Sequence, residues 1–328
     1  MRHLVRSTMS VLLAPVVITL SACGVTSTDG DAATGVRSLE IVVGNSPGGG
    51  YDTMARQIAD VLQGEGIVGE ARVTNKPGAG GTVALQQLVN MPGEAETLMT
   101  TGVAVTGALS TSDSPLSMTG ATPIARILEE PMIIAVAKDS PYQNIGDLLA
   151  AWKAEPRRVT AGGGAIAGPD HQQVLLLAQA AGIDIRQVNF VTYDGGGELL
   201  PAVLGQKVAF TASGYAEWAH QIDSGEIRVL AVSSAERVET IDAPTLKEQG
   251  VDLVFSNWRG FLAPPGLSPE QETALTAALA ELHESQAWQE RLRQNGQLDA
   301  FLAGDEFDGF VEEEQRRVKQ LATEAGLA

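Results

Sequence analysis

Short apolar runs alternate with amphipathic stretches along most of the chain. Eight of these runs are rich in Val, Ile and Thr and mostly lack strict polar–apolar alternation, which is typical of strands buried on both faces of a sheet. They are "LEIVVG", "EARVTN", "ETLMTTG", "MIIAVAK", "RRVTAGG", "VNFVTY", "KVAFTAS" and "IRVLAVS". Because helical patterns separate these runs, the sequence predicts parallel α/β sheets.

The intervening stretches have helical periodicity. The predicted helices are "DTMARQIADVLQG", "GTVALQQLVNM", "IGDLLAAWKA", "DHQQVLLLAQAAG" and "GYAEWAHQIDSG". In the first, Met54, Ile58 and Leu62 recur on one face. Three more helices are predicted from position 268 onward, and the first opens with Ser268 and Gln271 as a capping box. Helices at the end of an α/β chain usually pack onto an earlier domain, so we expect the chain to begin and end in the same lobe.

The first 22 residues have the pattern of a bacterial signal peptide. Arg2 and Arg6 precede the apolar run "VLLAPVVITL", which is too short to span a bilayer as a stable helix. The following "LSAC" resembles a lipobox, in which Cys23 is lipidated and becomes the mature N-terminus. An ordinary signal peptide with a stray cysteine is the alternative. Residues 23–37 are small and polar and predict a flexible tether, so we expect a folded part held outside the cytoplasmic membrane by a lipid anchor.

Size and charge restrict the function classes. About 290 residues follow the predicted tether, which favours two lobes over one. The formal net charge of the chain is −18, and no basic patch is evident. We therefore expect no nucleic-acid partner and no attraction to anionic lipid, and we predict a monomer.

Four junctions between a predicted strand and a predicted helix are rich in glycine. They are "SPGGGYD" (46–52), "NKPGAGGT" (75–82), "AGGGAIAGPDH" (161–171) and "YDGGGE" (193–198). Such junctions place unpaired backbone N–H groups at the positive end of a helix dipole, and glycine lets a ligand approach the backbone closely. A single loop of this kind is more often a tight turn. Four at the carboxyl ends of strands favour an anion site.

Nucleotide, hydrolase and metal sites fit these residues poorly. The third glycine of a dinucleotide fingerprint would fall on Thr53, and the chain has no Gly-Lys pair for a P-loop. "GNSPG" fits the nucleophile pattern G-x-S-x-G, but Pro47 follows Ser46 and has no N–H for an oxyanion hole. His283 lacks a second histidine at metal-binding spacing. We predict no cofactor, metal or catalytic residue, and a secreted hydrolase using Ser46 remains a remote alternative.

Several longer motifs carry a family resemblance. "NSPGGGYDTMARQIA", "NKPGAGGTVAL", "GQKVAFTASG", "GEIRVLAVSSAERV", "DAPTLKEQG" and "NWRGFLAPPGLSPE" resemble, in this order, the substrate-binding proteins of tripartite tricarboxylate transporters, the Bug-type receptors. The resemblance implies a type II periplasmic-binding fold, in which two α/β lobes joined by two crossing segments close over a ligand. It implies a first lobe of residues 38–137 and 233–328 and a second lobe of residues 138–232.

The resemblance also implies a ligand site built from loops of both lobes. In the first lobe it includes Ser46, Pro47, Gly48, Gly49, Gly50, Tyr51, Asp52, Gly78, Ala79, Gly80, Gly81, Thr82, Thr101 and Gly102. In the second lobe it includes Gly164, Ala165, Gly168, Pro169, Asp170, His171, Tyr193, Asp194, Gly195, Gly196, Ser213 and Gly214. Tyr51 stands where many members of this receptor family have a small hydroxyl residue. "AIAGPDH" stands where many members have a shorter turn that contains serine. The alternative for Asp52 and Asp170 is that they cap helices without touching ligand.

The function implied by the resemblance is transport. A lipoprotein of this kind captures a small di- or tricarboxylate, with citrate-like acids first, and delivers it to the membrane subunits of a tripartite tricarboxylate transporter. Members bind carboxylates mainly through backbone N–H groups, hydroxyls and ordered water. The alternatives are a receptor of the same fold for an aromatic carboxylate or an amino acid, or a sensory ligand-binding partner.

Overall fold

The computed structural model describes residues 34–194 and 196–328. The predicted signal peptide, Cys23, most of the predicted tether and Gly195 lie outside the described residues. Within them the strands are β1 (Ser38–Val43), β2 (Glu70–Asn75), β3 (Thr97–Gly102), β4 (Thr122–Ala137), β5 (Thr160–Gly163), β6 (Asn189–Thr192), β7 (Phe210–Gly214), β8 (Ile227–Val232), β9 (Ser256–Ala263) and β10 (Leu298–Ala303).

Helices occupy most of the connections between these strands. They are α1 (Gly50–Gly64), α2 (Thr82–Val89), α3 (Val103–Ser110), α4 (Ile145–Ala154), α5 (Pro169–Ala180), α6 (Gly196–Leu204), α7 (Ala219–Asp223), α8 (Pro269–Glu284), α9 (Gln286–Gln294) and α10 (Asp305–Glu324). Each of the eight predicted strands overlaps an observed strand, and the predicted helices are found. The helix predicted over residues 214–225 is divided into a 3₁₀ turn, Tyr215–Glu217, and the short α7.

The sheet order corrects one expectation. The strands run β2-β1-β3-β9-β4-β7-β5-β6, with β8 and β10 also paired to β4. β1 pairs in parallel with β2 and β3, and β5 pairs in parallel with β6 and β7, as predicted. However, β4 is antiparallel to β7, β8, β9 and β10, so the sheet is mixed. The antiparallel pairs arise because the chain crosses the molecule in β4 and returns in the opposite direction to β9.

Two crossing segments join two groups of strands. Residues 122–131 of β4 pair with β9, whereas residues 132–137 pair with β7 and β8. The return from β8 to β9 lies beside this point, since Ser233 donates its amide to the Met132 carbonyl at 2.9 Å and its carbonyl accepts the Phe255 amide at 2.8 Å. We call β1, β2, β3, β9, β10 and residues 122–131 the first-lobe strands, and β5 to β8 with residues 132–137 the second-lobe strands.

The chain ends against the elements with which it begins. Ile41 of β1, Ile58 of α1 and Trp288 of α9 are fully buried members of the same apolar core. The amphipathic face read from the sequence of α1 is therefore buried by the C-terminal helices. The last helix, α10, also reaches the second-lobe elements, because Arg186 donates to the carbonyl of Glu324 at 3.0 Å.

Candidate functional site

The turn between β1 and α1 is organised by one buried carboxylate. Asp52 is 3% exposed and accepts hydrogen bonds from the Gly48 amide at 2.8 Å and from Asn75 Nδ2 at 2.8 Å. It also accepts two from Arg56, at 3.0 and 2.9 Å. The Arg56 hydrogen bond is the main reason that the pKa of Asp52 falls to about 2, and the Gly48 and Asn75 bonds add to it. Both carboxylate oxygens are thus engaged in holding the turn.

This turn leaves backbone donors open. Residues 46–50 are exposed. Within the described part of the chain, the amides of Gly50 and Tyr51 donate no hydrogen bond, as expected for the first residues of a helix. The positive end of the α1 dipole adds to their pull on an anion. The start of α1 therefore has the open amides that the predicted anion cradle requires.

The second glycine loop lies against the first. A Cβ on Gly44 would stand 2.7 Å from the Cα of Gly81, so the backbones of the two loops pack directly against each other without room for a side chain. Gly81 is buried, whereas Ala79 and Gly80 are exposed and Gly78 and Thr82 are partly exposed. These loops meet at one edge of the first-lobe strands.

Thr101 and Gly102 differ from this group. Thr101 is fully buried and its hydroxyl donates to Met118 Sδ at 3.1 Å, so this side chain lies in the core. Gly102 is buried beside the Tyr51 hydroxyl, which would stand 2.6 Å from a Cβ at that position.

An arginine that the motif analysis missed lies beside the α1 turn. Arg259 of β9 is 8% exposed, and its Nη2 would be 2.6 Å from a Cβ on Gly50. Its guanidinium carbon is 5.3 Å from the centre of the Tyr51 ring. Glycine at position 50 therefore leaves the space that the guanidinium occupies beside the helix start. The available signal was a lone charge in the otherwise uncharged run "SNWRGFLA".

Arg259 is paired with a buried glutamate. Its Nη2 donates to Glu130 Oε2 at 2.5 Å, and Asn257 Nδ2 donates to the same oxygen at 2.8 Å. Glu130, on β4, is 8% exposed. On its other side it meets the second-lobe strand β7, because a Cβ on Gly214 would be 3.3 Å from the Glu130 carboxyl carbon. Glu130 therefore lies where the two lobes meet.

The second-lobe loop is held by Asp170. Its Oδ2 accepts the Gly164 amide at 2.9 Å and a longer contact from Ser213 Oγ at 3.5 Å. Ser213 is fully buried and also bonds the Thr211 hydroxyl at 2.9 Å. Burial, with a smaller contribution from the charge of Glu130, raises the pKa of Asp170 to about 6.

His171 serves the shape of the same loop. It is 4% exposed, and its Nδ1 accepts the amide of Ala167 at 3.0 Å. Burial lowers its pKa to about 4, so the ring is neutral at pH 7 and suited to accept that bond. Within the loop Ala165 is exposed, and Gly168 and Pro169 form the N-cap and first residue of α5.

Glu217 is a second residue that the motif analysis missed. It lies in the 3₁₀ turn after β7 and lines an open depression with Gly197, Leu200, Trp218 and Gln221. Its side chain reaches solvent, yet protein atoms surround it closely enough for desolvation to raise its pKa to about 7. The charges of Asp170 and Glu130 raise that pKa further, and Arg259 opposes them.

The last predicted loop approaches from the neighbouring strand. Tyr193 donates its amide to the Gly163 carbonyl at 2.9 Å, which ties this loop to the one that holds Asp170. Asp194 is exposed and its amide donates to Glu198 at 3.3 Å. Gly196 is the first residue of α6, and the predicted Gly195 lies outside the described residues.

Together these groups form a polar strip across the junction of the lobes. The α1 amides lie beside Arg259, which donates to Glu130. Glu130 lies against Gly214, and the neighbouring Ser213 contacts Asp170. The turn that contains Glu217 follows Gly214. Over residues 34–194 and 196–328, no group of three His, Cys, Asp or Glu side chains is placed to hold a metal ion. None of the helices described there combines the length and apolar character needed to cross a membrane. The strip offers hydrogen-bond donors on one side and carboxyl groups on the other.

Comparison with known proteins identifies the family. A sequence profile described as "Tripartite tricarboxylate transporter family receptor" matches residues 54–327. The chain belongs to this family. The resemblance read from the motifs is therefore confirmed, and the receptor is a solute-binding protein of an extracytoplasmic family. Protein BugT of Bordetella pertussis is 26% identical to it, over 97% of this chain and 98% of BugT.

Solved structures place the receptor in the expected fold. Rpa4515 of R. palustris, solved with adipate, is 24% identical, with a TM-score of 0.74 over 88% of this chain and 97% of that one. MatC from Rhodopseudomonas palustris, solved with bound malate, is 21% identical, with a TM-score of 0.70 over 87% and 99%. The receptor thus has the two-lobed periplasmic-binding fold predicted from its sequence.

Proposed function

We propose that this receptor captures a small carboxylic acid between its lobes and delivers it to the membrane subunits of a tripartite tricarboxylate transporter. The observation that carries the proposal is the first-lobe anion cradle, in which the free amides of Gly50 and Tyr51 lie beside the guanidinium of Arg259. Receptors of the same fold were solved with malate and adipate, both small dicarboxylates. Di- and tricarboxylates, citrate-like acids among them, are the first ligands to test.

In this proposal the ligand carboxylate lies at the start of α1. Helix amides and a guanidinium both donate to carboxylate oxygens, and hydrogen bonds to charged groups are stronger than those between neutral groups. Closing the lobes removes water from the strip and strengthens each of these bonds. Ligand binding then shifts an equilibrium between open and closed forms, and the transporter recognises the closed form.

The predicted site residues divide into two roles under this proposal. Residues 46–50, 78–80, 82 and 164–165 supply exposed or partly exposed groups for the ligand, together with the Tyr51 amide and Arg259. Asp52 and His171 shape the loops, because their polar atoms already have protein partners. Thr101 supports the core beneath the site.

We also propose the cellular arrangement implied by the sequence. Cys23 carries the lipid anchor and residues 23–37 form the tether. The lobes divide near residues 131 and 232, because β4 changes its pairing partners after residue 131 rather than at the predicted boundary of 137. The test is fractionation of cells expressing the full chain and Cys23→Ser. The wild type should sediment with membranes and the variant should not, whereas equal sedimentation would contradict the anchor.

The ligand proposal is tested by titration calorimetry with citrate, malate, succinate and adipate. Arg259→Gln combined with Glu130→Gln removes the cation without leaving a buried unpaired carboxylate. Loss of a charged hydrogen bond predicts roughly ten- to hundredfold weaker binding. Arg72→Gln, at an exposed arginine of β2, is the matched control and should bind as the wild type. If none of these acids or other small carboxylates binds the wild type, the proposal is wrong.

A further inference from the structure

The apolar core is arranged differently on the two faces of the mixed sheet. Successive residues of a strand point to opposite faces. Val42 of β1, Ile134 of β4 and Val174 of α5 belong to one continuous cluster of buried residues, which therefore includes elements of both lobes. On the other face, Ile41 of β1 and Ile133 of β4 belong to two separate clusters. We call the continuous cluster the shared core.

Helices of both lobes contribute to the shared core. Val103 of α3 and Leu321 of α10 follow first-lobe strands, and they share this core with Val174 and Leu177 of α5, which follows the second-lobe strand β5. Each of these four side chains is at most 5% exposed. Separating the lobes along these helices would divide the shared core and bring apolar side chains into water, which is unfavourable. The shared core therefore opposes separation of the lobes on this face.

A buried amide joins the start of α5 to α3. Gln172 is 1% exposed, and its Nε2 donates to the Val103 carbonyl of α3 at 3.3 Å and to the Ala167 carbonyl of its own lobe at 2.8 Å. The two N–H groups of this amide can serve both carbonyls at once. Moving α3 away from α5 would remove one of these acceptors, which is costly for a buried donor. Gln172 thus ties the two lobes together at one end of α5.

The other end of α5 is joined to α10. α10 is fixed to the first lobe, where Trp258 Nε1 donates to the buried Glu314 at 3.0 Å. The last residue of α10, Glu324, accepts Gln179 Nε2 of α5 at 3.1 Å through its carboxylate and Arg186 Nε at 3.0 Å through its carbonyl. A cation at the C-terminal end of a helix satisfies a free carbonyl and complements the helix dipole. The second lobe therefore caps a helix of the first lobe.

We infer that α5 is the pivot of lobe movement. Its contacts with α3 and α10 persist in the open and the closed form, and the lobes separate on the opposite face, where the core is divided. Ile58 of α1 and Leu199 of α6 belong to the two separate clusters of that face, so the cleft widens between α1 and α6. The inference rests on the proposed closure of the lobes and is independent of the chemistry of the ligand.

Two pairs of spin labels test the pivot in the full chain carrying Cys23→Ser, which removes the native cysteine. Asp60→Cys with Leu204→Cys, at exposed positions of α1 and α6, reports on the opposite face. Ala180→Cys with Arg316→Cys, at exposed positions of α5 and α10, reports on the pivot. Electron–electron double resonance measures each distance without ligand and with saturating citrate, malate, succinate or adipate, whichever binds most tightly.

The expected results differ between the two pairs. Ligand should shorten the α1–α6 distance and leave the α5–α10 distance unchanged. Without ligand, the α1–α6 distance distribution should be at least about twofold broader than the α5–α10 distribution. The inference is overturned if ligand changes both distances equally, or if the two distributions are equally broad without ligand. If no carboxylate binds, the proposed function fails, and the two widths measured without ligand still decide the pivot.

A covalent lock provides the second readout. Gln179→Cys and Glu324→Cys, joined by a short thiol cross-linker in the Cys23→Ser chain, fasten α5 to α10. Because the pivot contact does not open, the cross-linked protein should bind the same carboxylate within about twofold of its affinity before cross-linking. A loss of affinity of about tenfold or more would show that α5 must leave α10 during lobe movement, and would overturn the inference.

Discussion

At the scale of single residues, the two aspartates that the sequence left ambiguous have different roles. Asp52 is saturated by protein donors, and its pKa is lowered to about 2. Asp170 keeps an oxygen available and its pKa is raised to about 6. Both follow a glycine-rich loop, so local sequence could not separate them. The difference comes from Arg56 and Asn75 on one side and from burial near Glu130 on the other.

Asp52→Asn should destabilise the protein at pH 7. The pKa of Asp52 shifts from 3.8 to about 2, which corresponds to roughly 2 kcal/mol of stability. This contribution is present above pH 4 and is lost as the pH falls through about 2. The measurement is urea unfolding of wild type and variant between pH 7 and pH 2. Asp60→Asn, at an exposed position of α1, is the control and should change little. If the free energies of unfolding of Asp52→Asn and wild type differed by the same amount at pH 7 and at pH 2, this role would be contradicted.

Asp170→Asn should have the opposite dependence on pH. The unfolded chain loses this proton near pH 3.8 and the folded protein near pH 6, so the free energy of unfolding falls as pH rises between these values. The variant removes that cost and should be more stable than wild type by about 1–3 kcal/mol at pH 8, with no gain at pH 3.5. Thermal unfolding at the two pH values measures this difference, and a gain at pH 3.5 would exclude the explanation.

At the scale of elements, α3 packs directly against the second-lobe loop before α5. A Cβ on Gly107 would lie 1.9 Å from the Ala167 carbonyl oxygen of the second-lobe loop. Beside it, Gln172 Nε2 donates to the Ala167 carbonyl at 2.8 Å and to the Val103 carbonyl at 3.3 Å. The lobes can therefore approach this closely only with glycine at position 107.

Gly107→Ala should hold the lobes apart. The alanine methyl cannot occupy the space of the Ala167 oxygen, so we expect at least tenfold weaker ligand binding and a larger radius of gyration with ligand present. Small-angle scattering and calorimetry measure these two effects. Gly309→Ala, in an open position of α10, is the matched control. If Gly107→Ala bound ligand as tightly as the wild type and reached the same radius of gyration with ligand present, lobe closure would not depend on this contact.

The periodicity of the sequence predicted most elements, and the misses have physical reasons. α3 reads "VAVTGALS", which is short and apolar on nearly every side, so it carries no amphipathic signal. The first part of β4 contains Pro123, Glu129, Glu130 and Pro131, which resemble a loop. Its strand conformation is fixed by pairing with β9, a partner more than 120 residues away.

Pairing between distant strands also explains which site residues were missed. The glycine loops were visible because each lies next to its own helix start. Arg259 and Glu130 acquire their role only when β9 and β4 pair and bring them to Gly50 and Gly214. Asp170 is brought to the end of β7 by its contact with Ser213, 43 residues away in sequence, and Glu217 lies in the turn that follows β7. No local motif contains that information.

At the scale of the whole molecule, we propose a site for an anion in a chain with a net charge of −18. Surface charges beyond about 8 Å are screened at physiological ionic strength, so distant carboxylates have little effect in the cleft. The nearby groups decide binding, namely the α1 amides and Arg259 against Glu130, Asp170 and Glu217. The open α1 amides beside Arg259 are why we expect the molecule to take a small carboxylate despite its net charge.

The most direct test of the central claim is a crystal structure of the receptor with the small carboxylate that binds it most tightly. We expect a ligand carboxylate within hydrogen-bonding distance of the Gly50 or Tyr51 amide and of the Arg259 guanidinium, between closed lobes. A carboxylate bound elsewhere, with the start of α1 and Arg259 in contact with solvent alone, would contradict it.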